Sequence, residues 1–314
     1  VTLLIAVTWD PQPWVERFKK HLPKHDVAVL GHGDFDRSRI RYVATWGPKP
    51  GSLSDLPALE AIFSLGAGVD HLMGYQGLPD VPIVRVAQDD LTHRMSEYVV
   101  LHCLMHLRDQ RRFDAAQRAK QWDQERSPPI ASEVRVGVMG SGVLGQDAAR
   151  KLKVMGFDVA AWSRSPKNGD GYRIYSGDDG LAEFLARTDI LVSLLPLTPE
   201  TRGILNRRLF EKLARDGQLD GPILINAGRG GLQVEEDIVA CLDDGTLKAA
   251  TLDVFQVEPL PQDSPFWTHP QVTVTPHNSA VSDPEMTARY IADQIRRHEA
   301  GEPFQNVVDR KRGY

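Results

Sequence analysis

Short apolar runs recur along this chain, and between them lie stretches whose apolar residues stand three and four apart. Runs at residues 3–7, 27–30, 42–46, 61–65 and 83–86 read as strands, and residues 14–21 form an amphipathic helical pattern. From residue 134 the alternation becomes regular. Strands are predicted at 135–139, 158–162, 190–195, 223–226, 249–254 and 272–275, and helices at 146–155, 181–186, 207–214, 235–242 and 284–298. Residues 95–122 have few breakers and apolar residues at helical spacing, which predicts one long helix ahead of the break at Pro128 and Pro129. Strands alternating with helices predict an α/β fold of parallel, doubly wound sheets, with ligands beyond the carboxyl ends of the strands.

The sharpest local signal is V-R-V-G-V-M-G-S-G-V-L-G at residues 134–145, a valine-rich strand running into Gly140, Gly142 and Gly145 and then into a helix. In a dinucleotide-binding βαβ unit the first glycine makes the tight turn and the second lets bare backbone approach a pyrophosphate. The third lets helix and strand pack closely. The helix then aims its amide N–H groups, here from Val143 and Leu144 onward, at the phosphates. A plain turn is the competing reading, and the flanking strand and helix favour the nucleotide site.

Composition narrows the classes. A formal net charge of −5 and the lack of a basic patch argue against nucleic acid or an anionic membrane as partner. No apolar run is long enough for a membrane helix, and residues 1–7 read as a first strand, not as a signal peptide. Cys103 and Cys241 are too few for a disulfide framework, which suits a reducing, cytoplasmic setting. No metal site is expected from the ten histidines.

Other stretches bear on chemistry. The run A-I-F-S-L-G-A-G-V-D-H-L at residues 61–72 leads from a strand into Gly66, Ala67 and Gly68, whose successive backbone N–H groups suit a carboxylate or phosphate, although a tight turn into a helix is the reading this run favours by itself. Arg229, Glu258 and His277 fall at or after predicted strand ends. At the end of the second strand of the glycine unit an acidic residue marks NAD use, but here the chain reads Ser163, Arg164, Ser165 and Lys167. A guanidinium flanked by hydroxyls suits an extra 2′-phosphate, so NADPH is expected ahead of NADH, with an exposed basic turn as the bland alternative.

The segments L-I-N-A-G-R-G (224–230), L-D-V-F-Q-V-E-P-L-P (252–261) and T-P-H-N-S-A (275–280) resemble the D-isomer-specific 2-hydroxyacid dehydrogenases. Also similar are S-L-G-A-G-V-D (64–70), L-L-P-L-T-P-E-T (194–201) and the terminal V-D-R-K-R-G-Y (308–314), so the resemblance spans nearly the whole chain. It implies two Rossmann-like domains with the active site in the cleft between them, and a homodimer. The expected bounds are 1–100 with 280–314 for the substrate domain and 101–279 for the dinucleotide domain. It further implies reduction of a small 2-keto acid of glyoxylate or hydroxypyruvate type. A bulkier 2-keto acid, or a dinucleotide-sensing regulatory role, are the alternatives.

By the same resemblance Arg229 binds the substrate carboxylate and carbonyl oxygen, His277 is the acid/base, and a buried Glu258 orients it. Ala67, Gly68 and Val69 present backbone groups to the carboxylate. Trp46, which core packing would also explain, shapes the pocket. Asp253 holds the nicotinamide carboxamide, and Leu195, Pro196 and Ala227 edge the cofactor, although an ordinary turn also suits Pro196. Asn278 and Ser279 depart from the small or apolar residues usual after that histidine.

Overall fold

The alternating pattern folds into two parallel sheets in the computed structural model, whose described residues are 2–75, 77–124 and 127–311. The terminal V-D-R-K-R-G-Y segment passes outside them at its last three positions. The chain divides into two units, Val1–Leu91 with Ser282–Tyr314, and Thr92–Val281.

The first unit runs through β1 (Thr2–Ala6), α1 (Gln12–His21), β2 (Asp26–Val29), β3 (Ile40–Thr45), β4 (Ala61–Ser64), the one-turn α2 (Asp70–Met73) and β5 (Ile83–Val84). Its strands pair in parallel in the order β2-β1-β3-β4-β5. Because a parallel sheet is covered on both faces, its interior strands are buried on both, and every residue of β1 is buried. Leu3 and Ile5 pack with Phe18 of α1, whereas Leu4 and Ala6 face Val43, Ile62 and Leu72.

The expected single helix over residues 95–122 is two: α3 (Asp89–Leu107) and α4 (Gln110–Ala119). Asp109 between them has φ +52°, a left-handed conformation that Asp adopts more easily than most residues and that ends a right-handed helix without Gly or Pro. From Met95 onward α3 packs Tyr98, Val99 and Cys103 into the core of the second unit. This is why the division falls at 91/92, ahead of the expected 100/101, while the second crossing is at 281/282.

The second unit continues through β6 (Arg135–Met139), α5 (Val143–Val154), β7 (Asp158–Ser163), β8 (Arg173–Ser176), α6 (Gly177–Ala186), β9 (Ile190–Ser193), α7 (Arg207–Phe210), β10 (Ile223–Asn226), α8 (Glu235–Asp243), β11 (Ala249–Leu252) and β12 (Val272–Val274). The parallel order is β12-β11-β10-β9-β6-β7-β8, so it reverses direction between β6 and β9, where α/β sheets open a ligand crevice. The final helix, α9 (Pro284–Glu299), belongs to the first unit and buries Ile291 and Ile295 in the same core as Phe18.

Candidate active site

The glycine turn sits at that reversal. Gly140 has φ +107°, and a Cβ there would lie 2.8 Å from the Leu194 carbonyl oxygen at the end of β9. A Cβ on Gly145 would lie 1.8 Å from the Gly140 oxygen, so only glycine lets α5 pack this close to β6. At Gly142 a Cβ would meet nothing within 4 Å, and no side chain caps the start of α5. Bare backbone beside open space, followed by uncapped first-turn amides at Val143 and Leu144, fits a dinucleotide pyrophosphate.

The loop after β7 lies close by. Lys167 Nζ donates to the Ser141 carbonyl at 2.6 Å, which ties this loop to the glycine turn. Ser163 is buried and its Oγ donates to the Ser165 carbonyl at 2.6 Å, so its hydroxyl proton shapes the loop. Arg164 is exposed, and its charge reaches Glu200, whose carboxyl is held low first by Thr198 and in smaller part by Arg164. The 163–167 loop and the loop after Pro196 therefore flank one region. Leu195 and Ala227 are buried in apolar cores, and the Ala227 N–H donates to the Ser193 carbonyl at 3.2 Å, which ties the ends of β9 and β10 together.

Three loops that follow strands bring the titratable groups together. His277 Nδ1 lies 2.7 Å from Glu258 Oε2, and Glu258 Oε1 accepts from the Phe255 N–H at 2.9 Å. The Glu258 bond raises the His277 pKa, against burial and the positive Arg229. For Glu258, burial pushes the carboxyl up, but the His277 and Phe255 hydrogen bonds and the His277 and Arg229 charges outweigh it and hold it low. Arg229 thus acts on both partners, and its Nη1 donates to the Gly228 carbonyl at 2.7 Å. The expectation of a buried Glu258 is corrected: its side chain is 35% exposed and that of His277 41%, because both stand on loops beyond the sheet.

His277 has φ +52°, unusual for histidine and costing on the order of 1–3 kcal/mol unless the surroundings enforce it. Asp253, fully buried, enforces it. Its backbone oxygen accepts from His277 N at 2.8 Å. Its carboxylate accepts from Thr275 Oγ1, Asn278 N and Ser279 N at 2.6, 3.0 and 3.1 Å. Since Thr275 donates its proton to that carboxylate, the Tyr98 hydroxyl 2.8 Å away donates to Thr275. No sequence signal marks this clamp: Tyr98 reads as one more apolar-stripe residue of α3, and Thr275 as the end of a strand. Asn278 and Ser279 serve it through backbone N–H groups.

In the first unit, Trp46 follows β3 at the point where that sheet reverses order, and its ring centroid is 4.4 Å from that of His71. A Cβ on Gly66 would lie 2.5 Å from the indole, so the missing side chain lets Trp46 lie over the 66–69 turn. Ser64 Oγ ties that turn to the Gly68 carbonyl at 2.9 Å. Among the described residues the amides of Ala67, Gly68 and Val69 donate no hydrogen bond. Trp46 and the expected carboxylate cradle are thereby neighbours.

Histidines stand four residues apart twice. His21 and His25 pair separately with Glu285 and Glu299, and the His102 ring lies tilted against that of Tyr98 while His106 bonds Thr251. Among the described residues no group of three His, Cys, Asp or Glu is placed to hold a metal.

Residues 100–279 match the family described as D-isomer specific 2-hydroxyacid dehydrogenase, NAD binding domain. The chain is 40% identical over 314 residues to glyoxylate/hydroxypyruvate reductase A of Serratia proteamaculans, covering 98% of this chain and 97% of that protein. A probable 2-hydroxyacid dehydrogenase from Rhizobium etli, solved with NADP, HEPES and L(+)-tartaric acid, superposes with a TM-score of 0.95 at 48% identity, covering 100% and 99% of the two chains. The NADPH-dependent glyoxylate/hydroxypyruvate reductase of Sinorhizobium meliloti, solved with NADP and sulfate, gives 0.94 at 47% identity, with the same coverage.

Proposed function

The chain belongs to the D-isomer specific 2-hydroxyacid dehydrogenases, a family of oxidoreductases, and from that premise we propose that it reduces a small 2-keto acid of glyoxylate or hydroxypyruvate type with NADPH. The single observation that carries the reading is the 2.7 Å His277–Glu258 pair with the Arg229 charge acting on both members. A nicotinamide held beyond the glycine turn supplies the hydride.

The protein's own groups do the rest. Arg229 offers a planar guanidinium to the substrate carboxylate and polarises the carbonyl oxygen. His277 commits Nδ1 to Glu258, which leaves Nε2 to give its proton to the developing alkoxide, and the Glu258 bond that raises its pKa favours the protonated form that task needs. In the first unit the Ala67, Gly68 and Val69 amides are suited to receive a carboxylate, with Trp46 beside them. Gly140, Gly142, Val143, Leu144 and Gly145 receive the pyrophosphate. Leu195, Pro196 and Ala227 edge the cofactor by their backbone. Arg164, Ser165 and Lys167 receive the 2′-phosphate, and Ser163, whose hydroxyl proton is committed to the Ser165 carbonyl, holds the loop that presents them. The remaining acceptor capacity of Asp253 is available to the nicotinamide carboxamide.

Steady-state rates with a panel of 2-keto acids and both nicotinamide cofactors test the proposal. Fastest turnover of the smallest acids with NADPH is expected. Fastest turnover of a bulky 2-keto acid would replace the substrate assignment, and no turnover of any acid would remove the enzymatic one. We further propose a homodimer, supported by the exposed Leu101, Trp122 and Ile130 of the second unit and testable by light scattering. No helix among the described residues is long and apolar enough to cross a membrane, and a cytoplasmic setting is proposed from the two free, buried cysteines.

A further inference from the structure

One buried amide joins the loop that carries Arg229 to the loop that carries Glu258. Gln233, 1% exposed, stands between β10 and α8. Its Oε1 accepts from Asn226 Nδ2 at 2.8 Å, and that same Nδ2 donates to the Arg229 carbonyl at 3.2 Å. Asn226 Oδ1 accepts from Gly228 N at 3.1 Å, so Asn226 grips the Arg229 turn from both sides. On its other side, Gln233 Nε2 donates to the Val254 carbonyl at 3.0 Å and to Glu235 Oε1 at 3.2 Å. The next N–H along, that of Phe255, is the one that holds Glu258.

The backbone of the two loops is also in contact. A Cβ on Gly230 would lie 1.8 Å from the Phe255 carbonyl oxygen, so the residue after Arg229 presses directly on the residue that anchors Glu258. Gln256 closes the brace, its side chain donating to the Gln233 carbonyl and its N–H to Glu235 Oε1, both at 2.8 Å. A buried amide whose donors and acceptor are all used holds its partners in one arrangement, since any slip leaves a polar group unpaired in a dry environment.

We propose that Gln233 is a positioning residue which sets the Arg229 guanidinium and the Glu258–His277 pair in one register, so that the substrate anchor and the acid/base move as a unit. The inference rests on the function proposed above. A purely structural glutamine would lower stability when replaced and leave the chemistry alone. A positioning glutamine would change the coupling between the two loops even in a well-folded variant.

The test is Gln233→Met, which keeps the length and apolar stem but removes every side-chain hydrogen bond. Three readouts apply to the full chain: circular dichroism for the fold, NMR titration of the His277 imidazole without cofactor, and kcat and KM for keto acid with NADPH. The groups acting on His277 are Glu258, Arg229 and Asp253, so a loosened Glu258 should move its titration downward. The expected result is a native spectrum, that downward shift, and a loss in kcat/KM of about 10- to 100-fold shared between kcat and KM. Wild-type titration and kcat/KM within about twofold, at whatever stability, would overturn the proposal. If the Met variant does not fold, Gln256→Leu, at an exposed position of the same brace, should give a smaller shift of the same sign, and an unshifted His277 there would overturn it equally. Should the wild type reduce no keto acid, the proposed function fails by itself, and the His277 titration still decides the role of Gln233.

Discussion

His277 holds its imidazole on a left-handed backbone because Asp253 receives the turn at four points, and this fixes which nitrogen faces Glu258. The raised His277 pKa and the lowered Glu258 pKa give the activity a sign. In the proposed mechanism reduction consumes a proton from His277, so its rate should fall as pH rises through the raised value, and Glu258→Gln should move that descending limb to lower pH by removing the bond that raises it. An unmoved limb would uncouple the two residues. His277→Gln should bind NADPH normally and turn over very slowly. The same pair contributes stability that is lost as pH falls through the lowered Glu258 value and as pH rises through the raised His277 value. Arg229→Ala should lose about 10³-fold or more in kcat/KM, about 4 kcal/mol of transition-state stabilisation, and Arg229→Lys should recover only part because an ammonium cannot make the paired contact. Near-normal turnover by the alanine variant would remove Arg229 from the mechanism. Arg229, Glu258 and His277 were legible because each lies in a short motif. Asp253 was legible as a motif residue, but its grip on Thr275, Asn278 and Ser279 spans more than twenty residues of chain and leaves no spacing to read.

The glycine turn separates two element-scale jobs that the motif alone merges. Gly142→Ala has a φ of −85° and open space for its methyl, so stability should change by no more than about 0.5 kcal/mol while NADPH binding weakens. Gly145→Ala pushes a methyl against the Gly140 carbonyl and should cost about 1–3 kcal/mol as well as weakening binding. Thermal melts with and without NADPH distinguish them; equal destabilisation would mean that Gly142 is there for the fold. Most strands of both sheets were readable, since parallel strands buried on both faces are continuous apolar runs. The element that escaped, β8, reads R-I-Y-S and lies at the sheet edge, where one partner strand demands less apolar surface. The break between α3 and α4 escaped because no Gly or Pro marks it, only an aspartate in a left-handed turn. The predicted 207–214 helix stops at Phe210, where 3₁₀-type turns tuck Leu213 and Ala214 into the interior.

At the scale of the whole chain, two units with separate cores need not melt together, so cofactor recognition can be read as selective protection of one of them. Every residue proposed to hold the dinucleotide lies in Thr92–Val281, and a ligand that binds only the folded state stabilises by about 2.7 kcal/mol at a hundredfold excess over Kd. Calorimetry with NADPH should therefore raise the transition of the second unit, by several degrees, more than that of the first. NADH at the same concentration should raise it less, because Arg164 has no 2′-phosphate to meet. In Arg164→Ala the two cofactors should become nearly equal, through loss of the NADPH shift and not through gain of an NADH one, since that substitution adds no acidic group for the ribose hydroxyls. Adding Ser163→Asp supplies that carboxylate and should turn the order toward NADH. Equal shifts by the two cofactors in the wild type would show that the 163–167 loop does not read the phosphate, and the contact of Lys167 with Ser141 would then serve to brace the glycine turn and not to receive a ligand.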